Sequence, residues 1–287
     1  MNVAGAPISW GVCEVPGWGY QLPPERVLAE MRDVGLAATE FGPDGFLPDA
    51  PADKAAVLAA HGLRAVGGFV PVVLHDPDHD PRREVDRALA GFVAAGATVL
   101  VLAAATGADG YDARPAIDAL GWRTLLSNLD GLAARAAARG ITATLHPHVG
   151  TMVERTAEVR RVLDGCDMPL CLDTGHLLVG GTDPAALARE AAARVAHVHL
   201  KDVDAALAAR VRDGAASYTD AVRAGMYRPL GRGDVDVAAI VAALAGAGYD
   251  GWYVLEQDTV LDTAPPPGRG PVDDVRASLD HLRKVSA

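Results

Sequence analysis

A short unit recurs along this chain: an amphipathic stretch, a glycine, and then a short apolar run. It occurs as DVGLAATEF, AHGLRAVGGF, AAGATVLVL, ARGITATLH and GAGYDGWYVL. The glycines follow the periodic stretches, as helix-ending glycines do. The apolar runs are nearly continuous, which is typical of parallel strands that are buried on both faces. The repeat therefore predicts consecutive β–α units with a parallel sheet and right-handed crossovers.

Eight of the apolar runs are predicted to be strands, at residues 3–9, 37–41, 63–69, 98–102, 142–146, 170–173, 195–200 and 252–256. Helices are predicted between them at residues 24–34, 82–95, 122–139, 156–163, 184–193 and 237–247. Eight units favour a closed barrel over an open doubly wound sheet, and 287 residues suit one such barrel. No GxGxxG motif follows the first run, which argues against a dinucleotide-binding sheet. The prediction for residues 1–287 is one α/β domain, a (β/α)8 TIM barrel.

Two segments interrupt the repeat. Residues 204–230, between the seventh and eighth predicted strands, are interpreted as a lid-like insertion over the barrel mouth. Residues 259–272 contain PPPGRG and are predicted to form a mobile loop before a last helix. Such a lid would shield a reactive intermediate from water.

Charge and cysteine content limit the partners and the compartment. The formal net charge is −11, whereas proteins that neutralise phosphates carry a basic face, so no nucleic-acid partner is expected. No run of about 18 apolar residues occurs, so no membrane span is expected. The three cysteines form no CxxC pair and are odd in number, which favours a reduced, cytoplasmic setting. The sequence is compatible with a homo-oligomer but does not specify one.

Carboxylates, imidazoles and one lysine end five of the predicted strands. They are Glu40 on the second strand, His146 and His148 at the fifth, Asp173 and His176 at the sixth, His197, His199, Lys201 and Asp202 at the seventh, and Glu256 and Asp258 at the eighth. In an α/β barrel the C-terminal ends of the strands meet on the face that carries the active site. His146 and Asp173 are 27 residues apart, and Asp173 and His199 are 26 apart, about one β–α unit each. Glu256 follows after 57 residues, one unit plus the insertion.

Four consecutive strands thus present one ligand each at one height: His146, Asp173, His199 and Glu256. This mixed set predicts one divalent metal ion and suits Mn²⁺, Co²⁺, Fe²⁺ or Zn²⁺ better than Ca²⁺. No thiolate is expected within reach, which argues against a structural zinc site. His146 could instead lie behind the ligands or bind substrate, with His148 or a water as the ligand. His197 is interpreted as a residue one level deeper in the barrel that either packs in the core or supports the metal ligands from behind.

Five motifs, LHPHVGTMVE, CLDTGHLLVGG, HVHLKDV, GMYRPLGRGDVD and GWYVLEQD, resemble in this order the inosose dehydratases, members of the xylose-isomerase-like barrel superfamily of sugar isomerases and epimerases. APISWG and MRDVGLAATEFG also match, so the resemblance spans nearly the whole chain. The usual metal set of the superfamily is Glu, Asp, His and Glu on strands five to eight. Asp173, His199 and Glu256 match three of these positions, and His146 stands where epimerases have a glutamate. Epimerases of this superfamily exchange a proton between two metal-bound glutamates, so the histidine favours elimination.

The resemblance implies dehydration of an inosose-like keto-cyclitol, 2-keto-myo-inositol, to a trihydroxycyclohexanedione. One divalent ion, Mn²⁺ or Co²⁺ with Fe²⁺, Zn²⁺ and Mg²⁺ as alternatives, would polarise the ketone and stabilise the enolate. Glu256 is the first candidate base, and His176 or Lys201 would protonate the leaving hydroxyl. Glu40, expected on the opposite side of the mouth, is a second candidate base or an acceptor for a sugar hydroxyl. The candidates for binding this small polyol are His148, Trp10, Trp18 and Arg232.

Other interpretations remain open at this stage. His176 could be a helix cap, Lys201 could pair with Asp202 at the rim, and both tryptophans could belong to the core. The alternative functions are an isomerase or epimerase of a free sugar or keto-inositol, a metal-dependent abasic-site endonuclease, and a barrel that binds sugar without turnover. The net charge of −11 argues against the endonuclease.

Overall fold

Nine parallel strands form one sheet in a computed structural model that describes residues 1–286. The strands are β1 (Asn2–Gly5), β2 (Ala38–Thr39), β3 (Arg64–Ala65), β4 (Gly67–Val73), β5 (Val99–Ala105), β6 (Thr142–Leu145), β7 (Leu170–Asp173), β8 (Val195–Leu200) and β11 (Trp252–Leu255). Their spatial order is β3-β2-β1-β11-β8-β7-β6-β5-β4. A separate antiparallel pair consists of β9 (Asp202–Val203) and β10 (Tyr227–Arg228).

The sheet closes on itself at Val66, between β3 and β4. The Val66 N–H donates to the carbonyl of Thr39, and the Val66 carbonyl accepts from Thr98 and Val99 on the other side. The two short strands are therefore one barrel strand with an interruption. At Gly67 a Cβ atom would lie 2.0 Å from the Val99 carbonyl oxygen, so only glycine permits this close approach. Counted in this way the barrel has eight strand positions, and the predicted (β/α)8 fold is confirmed.

Helices follow most strands: α1 (Pro24–Asp33), α2 (Pro51–Ala60), α3 (Arg82–Ala95), α4 (Ala119–Ala137), α5 (Thr156–Gly165), α6 (Thr174–Val179), α7 (Pro184–Glu190), α8 (Ala205–Arg212), α9 (Tyr218–Arg223), α10 (Val237–Gly246) and α11 (Pro271–Val285). α3 has its predicted bounds because Val85, Leu89 and Phe92 form one buried face. α2 and α6 were not predicted, since the first is alanine-rich with weak periodicity and the second has six residues. None of the helices in residues 1–286 has the length and apolar character needed to cross a membrane.

The register of β7, β8 and β11 places residues near their C-terminal ends at one level. Asp173 on β7 is paired with His199 on β8, and Val254 on β11 is paired with the same histidine. Two residues earlier, Cys171 is paired with His197. Because side chains alternate along a strand, the second pair points to the same side of the sheet as the first but one layer deeper.

The insertion between β8 and β11 contains α8, α9 and β10. Its return strand β10 pairs with β9 through Arg228 and Asp202. The Asp202 carboxylate accepts backbone N–H groups of Gly231, Gly233 and Val235. The GRGD segment therefore wraps a carboxylate of the protein itself, which fixes the end of the insertion to the barrel.

The loop after β11 is irregular from residue 259 to residue 270, and α11 begins at Pro271. Arg26 on α1 donates to the carbonyls of Pro265 and Pro266, and Gly268 N–H donates to Glu30. Any motion of this loop must break these bonds to α1.

Candidate active site

Four side chains meet at the C-terminal ends of β6, β7, β8 and β11: His146, Asp173, His199 and Glu256. One ligand atom from each lies within 4.8 Å of the other three. His146 Nε2 is 3.1 Å from Asp173 Oδ2, and His199 Nδ1 is 3.6 Å from that oxygen. His199 Nδ1 also lies 2.6 Å from Glu256 Oε2. All four side chains are almost completely withdrawn from solvent, Glu256 being the most exposed at 11%.

The donor atoms of this cluster fit a metal ion. His199 Nδ1 and Glu256 Oε2 face each other, yet neither has a hydrogen-bond partner. Buried polar atoms without partners carry a free-energy cost that a bound cation would remove. Two imidazoles and two carboxylates are a ligand set that divalent transition metals accept. The predicted ligands are therefore brought together with the right chemistry.

Asp173 is held in place by the start of α6. Its Oδ1 atom accepts the N–H groups of Gly175 and His176 at 2.9 and 2.7 Å, so it is the N-cap of that helix. This leaves Oδ2 for the cluster. A Cβ at position 175 would lie 2.6 Å from Cβ of Lys201, so glycine is needed where α6 passes β8.

Glu40 lies in a different place from the one predicted. It was expected on the opposite side of the mouth, as a second base or a hydroxyl acceptor. Its buried Oε1 atom instead accepts Nε2–H of His197 at 2.8 Å and of His199 at 3.0 Å. The carboxylate therefore lies directly behind a predicted ligand, with its oxygen engaged by histidine donors.

No thiolate ligand was expected within reach of the cluster, and the structure places one cysteine, Cys171, beside it. Sγ of Cys171 lies within 4.8 Å of a ring nitrogen of His146 and of His199. It points to this side because it precedes Asp173 by two residues on β7. Burial raises the pKa of Cys171 to about 11, so the group is a thiol at neutral pH and not a thiolate.

Lys201 belongs to the cluster and does not pair with Asp202 at the rim. Its buried Nζ lies 2.5 Å from Asp258 Oδ1, 2.9 Å from Glu256 Oε2 and 3.7 Å from Asp173 Oδ2. Burial by itself would lower the pKa of Lys201, but these three carboxylates outweigh burial and hold the pKa well above its usual value. Burial likewise raises the pKa of Glu256, but His199 and Lys201 outweigh it and lower the pKa to about 2. At neutral pH Lys201 is an ammonium and Glu256 a carboxylate.

His148 and His176 stack on each other at the edge of the cluster, with ring centroids 3.7 Å apart. His148 Nδ1–H donates to the Val149 carbonyl at 2.7 Å. His176 Nδ1 faces the Val149 N–H at 3.5 Å and the Tyr227 hydroxyl at 3.4 Å, so its proton belongs on Nε2. That buried Nε2 has no partner. Burial, and then the neighbouring His148, lower the pKa of His176, so it is neutral.

Three tyrosines that the sequence did not identify border these histidines. The Tyr111 ring is 4.6 Å from the His148 ring, and the Tyr218 and Tyr227 rings are 6.0 and 6.1 Å from the His176 ring. Tyr218 also bonds Asp258 Oδ2 and the Tyr227 hydroxyl, at 2.5 and 2.9 Å. Tyr227 lies in the GMYRP motif, which was the available signal.

The two tryptophans lie outside this ring of aromatic residues. Trp10 is completely buried and donates its indole N–H to Glu30. Trp18 donates to the Thr259 carbonyl, and its ring lies behind Tyr218 at a centroid distance of 6.3 Å. The aromatic rings nearest the histidines are therefore those of the tyrosines, and Trp10 is a core residue.

Arg232 is exposed, and the groove that it lines reaches the edge of the cluster at Tyr227 and Asp258. It lines a surface groove of about 580 Å³ together with Arg228, Gln257, Asp258 and Asp274. Within residues 1–286 no hydrogen bond joins its side chain to a predicted ligand. Its predicted contact with substrate requires that the substrate reach this groove.

Fold and site together define the class: a parallel (β/α)8 barrel with a cluster of potential metal ligands at the C-terminal ends of its strands. Residues 28–285 match the family model of the xylose isomerase-like TIM barrel. The chain belongs to that family, and the resemblance drawn from its motifs is confirmed.

Curated relatives and solved structures agree with this assignment. The rhizopine catabolism protein MocC of Rhizobium meliloti is 34% identical over 275 residues, which cover 93% of this chain and 84% of that protein. An inosose dehydratase of Geobacillus thermodenitrificans (strain NG80-2) is 30% identical over 264 residues, 88% of each chain. An L-ribulose 3-epimerase structure has a TM-score of 0.70 at 18% identity, covering 99% of this chain and 93% of that one. The IOLI protein with a bound zinc atom has a TM-score of 0.70 at 13% identity, with coverages of 99% and 98%.

Proposed function

We propose that the protein is a metal-dependent dehydratase that removes water from an inosose-like keto-cyclitol such as 2-keto-myo-inositol. The similarity to inosose dehydratases over most of the chain supports the reaction and the substrate class. The buried cluster of imidazoles, carboxylates and an ammonium group supports acid–base chemistry on a polyol.

The observation that carries this proposal is the state of Glu256. Its Oε2 is ion-paired with Lys201 Nζ at 2.9 Å and faces His199 Nδ1 at 2.6 Å; among residues 1–286 it is the one buried carboxylate oxygen that accepts no well-aligned hydrogen bond. The neighbouring carboxylates of Glu40, Asp173 and Asp258 all accept hydrogen bonds. Glu256 is the only glutamate among the four predicted ligands, so the cluster provides one carboxylate base, which suits an elimination better than a two-base epimerisation.

His146, Asp173, His199 and Glu256 would hold the divalent ion, for which we propose Mn²⁺ or Co²⁺. When bound, the ion acts as a Lewis acid that makes the carbon next to the ketone more acidic. Glu256 takes the proton from that carbon, and the C–H electron pair passes into the enolate. The β C–O bond then breaks, a C=C bond forms, and the hydroxyl leaves as water after accepting a proton.

Two groups lie ready to assist the leaving hydroxyl. Lys201 is an ammonium beside Glu256, so it keeps that base ionised and can donate a hydrogen bond to a departing oxygen. His176 lies on the other side of the cluster. Its buried Nε2–H has no hydrogen-bond partner. A neutral imidazole is the weaker acid of the two, so we assign proton donation to Lys201 and orientation of a substrate hydroxyl to His176.

His146 separates this proposal from epimerisation. We expect the wild-type enzyme to convert 2-keto-myo-inositol irreversibly to an ultraviolet-absorbing dione, because an imidazole with its lone pair on a metal cannot act as a second base. His146→Glu should slow dehydration and introduce exchange of the α-proton with solvent. Absorbance measures the dione, and mass spectrometry in D2O measures the exchange. Interconversion of two epimers by the wild type, without dehydrated product, would show that the alternative epimerase function is correct.

The insertion should act as a lid. The ligands are at most 11% exposed, so a substrate reaches them only if a covering segment moves. Tyr218→Phe removes the donor to Asp258 and leaves a buried acceptor unsatisfied, which typically costs about 1–3 kcal/mol. We expect faster hydrogen exchange across residues 205–223 in this variant, and slower exchange there in the wild type with metal and a substrate analogue.

Tyr249→Phe is the matched control for the lid. It removes one tyrosine hydrogen bond, to the Trp252 carbonyl, at the opposite end of β11. Equal exchange in the insertion of both variants would contradict a lid held by Tyr218.

A further inference from the structure

A buried carboxylate that the proposed reaction does not use lies directly behind His199. Glu40 follows β2, which is separated from β8 by β1 and β11 in the sheet order. Its side chain nevertheless reaches two histidines of β8, and both donate Nε2–H to its Oε1 atom, at 2.8 and 3.0 Å. A buried ionised group is costly and is weak support for stability alone, so the arrangement points to another role.

The contact with Glu40 determines which nitrogen of His199 carries hydrogen. A carboxylate can only accept, so His199 Nε2 must carry the proton that it donates. In the neutral form, which is the form that binds a metal ion, an imidazole protonated at Nε2 has its lone pair on Nδ1. That atom is the one that faces Glu256 Oε2 at 2.6 Å and Asp173 Oδ2 at 3.6 Å. The lone pair is thereby directed into the ligand cluster.

His197 fixes Glu40 in turn. It donates to the same oxygen as His199, from two residues earlier on β8, so the carboxylate is held by two donors. His146 provides a contrast inside the same cluster, since its outer nitrogen Nδ1 has no partner. Of the two imidazole ligands, only His199 has a carboxylate on the nitrogen that points away from the cluster.

We propose that Glu40 is a positioning residue that fixes the Nε2–H tautomer of His199 and so makes Nδ1 the ligand atom of the metal centre. A carboxylate behind a ligand imidazole orients the ring and increases its basicity, and its loss typically lowers metal affinity roughly 10- to 100-fold. This inference rests on the metal site of the proposed function and not on the reaction or its substrate.

The test is zinc binding without substrate, in the wild type and in Glu40→Ala and Glu40→Gln. We expect Glu40→Ala to bind Zn²⁺ roughly 10- to 100-fold more weakly. Gln keeps an acceptor oxygen for both histidines, so Glu40→Gln should recover much of the affinity. In ¹⁵N spectra of the zinc-loaded wild type, His199 should be bound through Nδ1 and carry hydrogen on Nε2. In Glu40→Ala this preference should weaken, while the His146 signals stay the same.

Glu30→Ala is the matched control, since Glu30 is also a buried carboxylate that accepts several hydrogen bonds, from Trp10, Arg26 and Gly268. It should lower thermal stability without changing zinc affinity. Binding of His199 through Nε2 in the wild type would overturn the inference, even if Glu40→Ala fails to fold. Unchanged affinity in a folded Glu40→Ala, or no zinc binding by the wild type, would also overturn it. A wild type that binds zinc in this manner but epimerises its substrate would refute only the proposed dehydration.

Discussion

Asp173→Asn should lose its divalent ion and, with it, all measurable turnover. The substitution removes one of the two negative charges in the ligand cluster at a side chain that is completely buried. Because loss of groups behind a ligand already lowers metal affinity roughly 10- to 100-fold, loss of a charged ligand should lower it by more than roughly 100-fold. Metal content after dialysis and the rate of dione formation measure the two effects.

Asparagine is chosen because Asp173 has a second task, as the N-cap of α6. The amide oxygen of Asn can still accept from Gly175 and His176, so the fold should be kept. Asp173→Ala should lose the ion and also about 1 kcal/mol of stability. Asp183→Ala is the control: it removes an N-cap that accepts two N–H groups of α7, outside the cluster. Full metal occupancy in Asp173→Asn would contradict the metal site itself.

Glu256→Gln should remove the base while leaving a neutral oxygen for the metal. A positioned acid–base group typically contributes about 10²- to 10⁴-fold to the rate, and we expect kcat to fall by that factor. Since an amide does not accept the α-proton, incorporation of solvent deuterium into the substrate should be absent. Metal content, measured on the same sample, separates loss of the base from loss of the ion.

Glu30→Gln makes the same chemical change at another buried glutamate, which bonds Trp10 and Arg26 away from the cluster. It should keep its metal and its turnover. A kcat for Glu256→Gln close to that of the wild type, with metal bound, would show that another group is the base. Asp258 would then be the next candidate, because it shares Lys201 with Glu256.

The barrel and the four metal-ligand candidates could be predicted from the sequence. The apolar runs are continuous because the strands are buried on both faces, and the glycines mark where helices end. The spacing of about one β–α unit from His146 to Asp173 and on to His199 indicated one shared layer. The register of β7 with β8 places Asp173 and His199 in that layer.

Residues whose side chains cross the barrel or come from loops could not be placed in the same way. Glu40 was expected at the mouth, but its position depends on the distance across the barrel interior to β8. Lys201 was weighed as a partner of its neighbour Asp202, yet it contacts Asp258, 57 residues away. Tyr218 lies in an insertion without strand periodicity, so no pattern predicts that its hydroxyl reaches Asp258.

The sequence by itself determined the periodic part of this protein, namely the eight strand positions, most of the helices and the strand ends that carry histidine and carboxylate. These features follow from local hydrogen bonding and from the burial of one or both faces of each element. Both causes leave a repeating pattern along the chain. Only the tertiary structure decided which nitrogen of His199 faces the cluster, that Glu256 lies between His199 and Lys201, and that tyrosines border the site. Those features depend on contacts between distant segments, whose directions are set by how the strands and the insertion pack around one barrel.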